Sequence, residues 1–262
     1  MQKINDIKPK KSLGQNFLTS KSLVSNIIAK ADIEPGDTIL EIGPGTGILT
    51  VQLASKAKKV FAIEKDKNLV ELLNKKFKQK NNVKIIHGDA LKIDLALPLN
   101  YKVIANIPFY ITAPLIRKYL EAKYPPSKIT LIIQKEVAQR ICAKPPRMSL
   151  LALSVQFYAQ VKIMGYIKKE AFWPKPKVDS AIIQIIPYNN GSNVTFFKII
   201  KAGFSHPRKQ LAGNLSQSLN MQKEIIKQRL LENDVNPTQR AETLRLEDWL
   251  RLTKTFDQKN KR

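Results

Sequence analysis

One short segment limits what this chain can fold into more than any other. Thr38-Ile39-Leu40-Glu41-Ile42 runs directly into Gly43-Pro44-Gly45-Thr46-Gly47, and Ile48-Leu49-Thr50 follows. The first five residues suit a buried strand, and the residues after the glycines have helical spacing. A strand, a glycine loop and a helix in that order open a doubly wound α/β sheet. The spacing is Gly-x-Gly-x-Gly, which departs from the Gly-x-Gly-x-x-Gly of dinucleotide sites, and no Gly-Lys-Ser/Thr is present to grip a triphosphate. A phosphate ligand is therefore disfavoured. Gly43 and Gly45, lacking Cβ atoms, let the backbone approach a ligand closely, and Glu41 at the strand end suits a cationic group.

Further β-rich runs recur at residues 60–63, 83–86, 103–105 and 129–133, with helical stretches between them, as expected for parallel strands joined by helical crossovers. The first of these ends in Glu64, roughly twenty residues past the first glycine, where doubly wound folds hold ribose hydroxyls. The next leads into His87-Gly88-Asp89-Ala90, which puts Asp89 at the same sheet edge, suited to accept from an adenine amino group. Each acid alone also fits a helix N-cap or a solvated turn. Together with Glu41 and the glycine loop they suit S-adenosyl-L-methionine, which carries a cationic amino-acid group beside its sulfonium.

The run at 103–105 ends in Asn106-Ile107-Pro108-Phe109. The exocyclic amine of adenine is a poor nucleophile because its lone pair is delocalised into the ring. A catalyst must accept hydrogen bonds from that NH2 and draw it toward pyramidal geometry, which an Asn carboxamide oxygen and carbonyls at Ile107 or Pro108 can do. Proline sets the turn, and Phe109 offers a face for an extruded base. Asn-x-Pro-aromatic also occurs in ordinary turns, so the motif gains its meaning from the strand ends around it.

The set Glu41 to Gly47, Glu64, Asp89 and Asn106 to Phe109 resembles the core of the ribosomal RNA adenine N6-dimethyltransferases. Lys11-Ser12-Leu13-Gly14-Gln15-Asn16-Phe17-Leu18 resembles that family's amino-terminal motif, and the resemblance implies cofactor contacts at Asn16 and Leu18. Phe172-Trp173-Pro174-Lys175-Pro176-Lys177-Val178-Asp179-Ser180 resembles its Phe-x-Pro-x-Pro-Lys-Val-x-Ser block, which implies Phe172 near the target base. The blocks Phe204 to Leu211 and Arg240 to Leu244 are more similar to the small-subunit branch than to the large-subunit antibiotic-resistance branch. Phe109 stands where many members carry Tyr. The resemblance implies a Rossmann-like, S-adenosylmethionine-dependent methyltransferase domain over residues 1–187. Its mixed seven-stranded sheet would end in an antiparallel hairpin at 161–166 and 181–186. Residues 188–262 would form a small all-α domain after the turn-rich Pro187 to Asn193. It further implies dimethylation of two adjacent adenines in small-subunit rRNA within a pre-ribosomal particle. The cofactor set is then Asn16, Leu18, Glu41, Gly43, Gly45, Glu64, Asp89 and Asn106, and the catalytic set Asn106, Ile107, Pro108, Phe109 and Phe172.

Composition fits an RNA partner without choosing one. Lys and Arg number 45 against 21 acids, a formal net charge of +24, far beyond what solubility requires. Clusters such as Lys8-Lys10-Lys11 and Arg208-Lys209 suit phosphate contacts, which position RNA without reading bases. No apolar run approaches the roughly 18 residues that would span a bilayer, and the start lacks a secretory signal, so a cytoplasmic protein is expected. The single cysteine, Cys142, is read as a buried helix residue, and the two histidines, His87 and His206, are too isolated for a metal site. Trp249 is read as core, and no heptad pattern suggests more than a monomer. Three other readings remain open: a large-subunit adenine methyltransferase, a DNA or protein methyltransferase sharing an Asn-Pro-Pro-aromatic motif, and an assembly factor acting mainly by binding.

Overall fold

In the computed structural model, which describes residues 8–188 and 191–258, nine strands form among the described residues, and they include the β-rich runs at 39–42, 60–63, 83–86, 103–105 and 129–133. They are β1 (Phe17–Leu18), β2 (Thr38–Ile42), β3 (Lys59–Glu64), β4 (Val83–His87), β5 (Lys102–Asn106), β6 (Lys128–Gln134), β7 (Ala159–Ile167), β8 (Phe172–Trp173) and β9 (Ser180–Pro187). Helices α1 (Lys21–Ala31), α2 (Ile48–Lys56), α3 (Lys67–Lys76), α4 (Thr112–Leu120), α5 (Lys135–Ile141) and α6 (Leu150–Gln156) alternate with them. Helices α7 (Val194–Gly203), α8 (Leu211–Leu219), α9 (Lys223–Leu231) and α10 (Leu246–Gln258) follow.

Seven strands form one sheet in the order β4-β3-β2-β5-β6-β9-β7. Strands β2 to β6 run parallel to their neighbours, and β9 joins β6 antiparallel. Parallel strands covered on both faces read as unbroken hydrophobic runs, which is why Ile39, Leu40, Val103 and Ile104 are all buried. Helix α1 supplies one cover. Ser20 caps it by accepting from the Leu23 N–H at 3.3 Å, and Val24, Ile27, Ile28 and Ala31 form its buried stripe. Those residues pack with Leu49 and Leu53 of α2 and with Ile39 and Val60 of the sheet. Burying each such aliphatic side chain contributes about 1.5–3 kcal/mol, so truncating Ile27 costs about 2–5 kcal/mol. Strand order reverses between β2 and its neighbours β3 and β5. In open α/β sheets a crevice forms at that point, outside the carboxyl ends of the strands.

The described residues divide into two units. One holds the chain up to Ala138 together with Gln160–Tyr188, and the other takes Gln139–Ala159 together with the C-terminal helices. The expected domain over residues 1–187 would place 139–159 with the strands. Aromatic packing places it elsewhere: Phe157 stacks on Phe196 with ring centroids 4.4 Å apart, and Tyr158 stacks on Phe197 at 5.6 Å. Asn189 and Asn190 of the expected linker lie outside the described residues. In the second unit Trp249 is fully buried, and the Asn214 carboxamide donates to the carbonyls of Gly203 and His206, holding the loop before α8. Cys142 departs from expectation. It lies in the turn after α5 and is half-buried, and burial pushes its thiol up to about 11, so it stays protonated at neutral pH. No helix among the described residues is long and apolar enough to cross a membrane.

Candidate active site

A cavity opens at the carboxyl ends of β2, β3 and β5, within the sheet-bearing unit. Asn16, Leu18, Glu41, Gly43, Gly45 and Glu64 line it. So do Asp89, Asn106, Ile107, Pro108 and Phe172. Phe109 opens a turn of 3-10 helix, Phe109–Ile111, and its ring lies outside the described part of the structure.

The glycine loop forms one wall. Gly43, Gly45 and Gly47 have φ of +70°, +58° and +74°, a region that favours glycine. At Gly45 a Cβ would also meet the Phe17 ring at 2.8 Å. Glu64 fixes the loop to the sheet by accepting from the Gly45 N–H at 3.1 Å and the Asp66 N–H at 2.9 Å. Burial raises the Glu64 pKa, and these N–H bonds act against it. Both Glu64 oxygens are therefore already engaged, but each keeps a lone pair for a hydroxyl donor.

Glu41 is the electrostatic outlier. It is 1 % exposed, and neither carboxyl oxygen has a hydrogen-bond partner. Burial pushes its pKa to about 8. Thr50 beside it lowers the value without closing a hydrogen bond, and the Glu64 charge raises it. Sequence reasoning overlooked Lys76, whose ammonium donates to the carbonyls of Thr46 at 2.9 Å and Gly47 at 3.4 Å and so braces the loop. Desolvation lowers the Lys76 pKa, and the Glu41 charge opposes that.

The N-terminal arm closes another side, held by Asp66, which the sequence reading also overlooked. Lys10 Nζ reaches Asp66 Oδ1 at 2.7 Å, Gln15 Nε2 reaches Oδ2 at 3.1 Å, and the Lys10 N–H donates to Gln15 Oε1 at 2.8 Å. Asp66 also caps α3 through the Asn68 N–H. Desolvation would raise its pKa, but the Lys10, Gln15 and Asn68 bonds together hold it below the usual carboxylate range. An Asp at a helix N-cap was the signal available in the sequence. Lys10 is thus committed to Asp66 rather than free for phosphate, and the Lys11 side chain lies outside the described part. Further along the arm, Phe17–Leu18 pairs antiparallel with Phe172–Trp173, which seats Phe172 at the cavity with 5 % exposure.

Asn106 ends β5 facing that arm. Its Nδ2 donates to the Asn16 carbonyl at 3.0 Å, which leaves Oδ1 as an acceptor without a partner among the described residues. The Pro108 carbonyl already accepts the Ile111 N–H at 3.2 Å, and one of its lone pairs remains for a substrate donor. Tyr110, 58 % exposed and lining the cavity, was also overlooked, although Phe109-Tyr110 is a visible aromatic pair. Asp89 is partly spent as well. Lys65 Nζ lies 2.9 Å from Oδ2 and the Leu91 N–H donates to Oδ1 at 3.0 Å, and these hold its carboxyl below the usual range.

Residues 7–258 match the family model described as ribosomal RNA adenine dimethylase. The chain belongs to that family. Its similarity to individual proteins agrees. It is 42% identical over 255 residues to the ribosomal RNA small subunit methyltransferase A of Dehalococcoides mccartyi, covering 94% of this chain and 88% of that one. To the protein of the same name from Fusobacterium nucleatum it is 40% identical over 262 residues, covering 96% and 99%. A dimethyladenosine transferase from Plasmodium falciparum superposes with a TM-score of 0.82 at 28% identity, over 93% of this chain and 98% of that one. The 23S rRNA methyltransferase ErmE shares the fold, with a TM-score of 0.76 at 24% identity over 92% and 99%.

S-adenosyl-L-methionine is the methyl donor of this rRNA adenine methyltransferase, and the cavity fits it. The unpartnered, buried Glu41 carboxyl asks for a cationic or donor group, and the Cβ-free loop leaves room for a ligand against its backbone.

Proposed function

We propose that this chain dimethylates N6 of two adjacent adenines near the 3′ end of small-subunit rRNA, during ribosome assembly in the cytoplasm. The observation that carries this reading is the state of Asn106. With its amide NH2 tied to the Asn16 carbonyl, the carboxamide is held in one orientation and its oxygen remains the acceptor at the cavity. That oxygen would accept from the adenine N6 amine and localise the lone pair on nitrogen. The Ile107 carbonyl and the remaining lone pair of Pro108 would take the second N–H. Phe109 and Tyr110 would stack on the extruded base, and Phe172 would border it. Acceptors preorganised in this way supply about 3 kcal/mol each at the transition state, by analogy with a single oxyanion-hole donor.

When bound, S-adenosyl-L-methionine supplies an electrophilic methyl on its sulfonium. Glu41 would hold its amino-acid end, Asn16, Leu18, Gly43 and Gly45 would enclose it, Glu64 would accept from the ribose and Asp89 from the adenine amine. No general base is needed, because the amine becomes acidic as it is alkylated and water or a carbonyl can take the proton. Positioning and electrostatics provide the acceleration.

The test is transfer of labelled methyl to small subunits lacking adenine dimethylation, beside large subunits and duplex DNA, with the product nucleoside identified. Dimethyladenosine confined to small subunits is the expected result. Label on large subunits alone would move the assignment to the other branch, and no label with cofactor bound would favour an assembly role.

A further inference from the structure

The cavity accounts for one adenine, but the sheet edge beside it carries a second aromatic that the reaction does not use. Tyr166, near the end of β7, is 56 % exposed. The Lys135 ammonium sits 5.3 Å from the centroid of its ring. Lys162 and Met164 share the strand face of Tyr166, since side chains alternate along a strand, and Lys162 is exposed. β7 ends the seven-strand order, so this face lies at the sheet margin.

Asp179 shows that Tyr166 lies on the same edge as the cavity. Its carbonyl accepts the Lys135 N–H at 3.0 Å, just past the end of β6. Its carboxylate accepts the Lys169 N–H at 3.1 Å and lies 3.5 Å from Lys168 Nζ, just past the end of β7. The next residue, Ser180, and nearby Pro176 both line the cavity. The ends of β6 and β7 and the start of β9 are therefore knotted together at the cavity rim. Lysines dominate this rim: Val161 to Asp179 holds five lysines against two acids, and Glu170 is taken by Lys175 at 2.7 Å.

The geometry points to an RNA stacking platform: an unpaired base of the strand flanking the target adenine stacks on Tyr166, while its phosphates meet Lys135, Lys168 and Lys177. This rests on the RNA substrate proposed above. An aromatic face is sequence-tolerant because every base has a π-face, and ammonium groups around it take the backbone. An acidic protein segment would use the lysines but gain nothing specific from an exposed ring.

The test compares wild type, Tyr166→Ala, Tyr166→Phe and Lys135→Met for binding a fluorescent single-stranded, adenine-containing RNA oligonucleotide. Melting and S-adenosyl-L-methionine affinity are measured for each as controls for folding. Tyr166→Ala is expected to weaken RNA binding about tenfold while Tyr166→Phe stays within about twofold of wild type. Lys135→Met is expected to reduce the log–log salt slope by roughly 0.7. Unchanged RNA affinity in Tyr166→Ala would overturn the platform. So would a loss seen only with whole subunits, which would assign the surface to a protein contact. Methyl transfer by wild type separates the two readings. Transfer with an unaltered KM in Tyr166→Ala sinks the platform alone, whereas ring-dependent RNA binding by a wild type that transfers no methyl sinks the activity alone.

Discussion

Replacing Glu41 with glutamine tests the electrostatics of the cavity most directly. The carboxyl is buried without a hydrogen-bond partner, and its pKa rises from the ordinary 4.5 to about 8. In the cofactor-free protein at pH 7 the folded state therefore keeps this proton while the unfolded state has lost it. The unfolded state binds fewer protons, so this group's contribution makes stability fall as pH rises from about 4.5 to about 8. At 1.36 kcal/mol per pKa unit, the penalty is about 1 kcal/mol at pH 5 and about 3 kcal/mol at pH 7. Glutamine cannot ionise and escapes that penalty, but it leaves an unpartnered amide, at a cost of about 1–3 kcal/mol that does not vary with pH. The stability of Glu41→Gln relative to wild type should then improve by about 2 kcal/mol between pH 5 and pH 7. Urea unfolding at the two pH values measures this, because every other titrating group is common to both proteins. Parallel curves for the two proteins would refute the reasoning. Cofactor affinity supplies a second readout: if Glu41 ionises against the amino-acid end, the variant should bind S-adenosyl-L-methionine at least tenfold more weakly at pH 7, a loss of about 1.4 kcal/mol.

Three further outcomes are expected. Asn106→Ala should lower methyl transfer at least 100-fold, about 2.7 kcal/mol, while calorimetry shows cofactor affinity changed only several-fold. Equal turnover would remove Asn106 from the chemistry. Asp66→Ala removes the anchor of the N-terminal arm and the cap of α3, so it should cost about 1 kcal/mol of stability and raise the cofactor Kd roughly tenfold. Asp66→Asn, which keeps a capping oxygen but loses the charge opposite Lys10, should fall between, as read by limited proteolysis of the arm. Gly45→Ala forces a side chain to φ +58° and into the Phe17 ring, and should destabilise by about 2 kcal/mol in thermal unfolding. A neutral result there would mean that the loop and Phe17 shift together at little cost.

Much of the sheet was legible because strands buried on both faces are predominantly apolar, and the runs 39–42, 60–63, 83–86, 103–105 and 129–133 are interrupted only by Glu41, Lys84 and Thr130. The positions of Glu41, Glu64, Asp89 and Asn106 at successive strand ends followed from counting along those runs. β1 and β8 were not legible, since two-residue strands carry no periodicity and their pairing joins segments far apart in the chain. Residues 139–159 were misplaced for a related reason. Phe157 and Tyr158 are apolar enough for either unit, and only the partners Phe196 and Phe197 decide.

The sequence by itself determined which chemistries were available: glycines where the backbone must take positive φ, acids at strand ends, an Asn-Ile-Pro turn, and a large positive charge. These are local or compositional properties, and they survive without knowledge of distant contacts. Only the tertiary structure decided how those groups are poised. Glu41 holds its proton because the fold removes water and closes no hydrogen bond on its carboxyl. Asn106 presents its oxygen because the arm claims its amide nitrogen, and Asp66 matters because Lys10 and Gln15 return to it. Burial, desolvation and long-range hydrogen bonds are relations between segments separated in the chain, and they exist only once the chain has closed on itself.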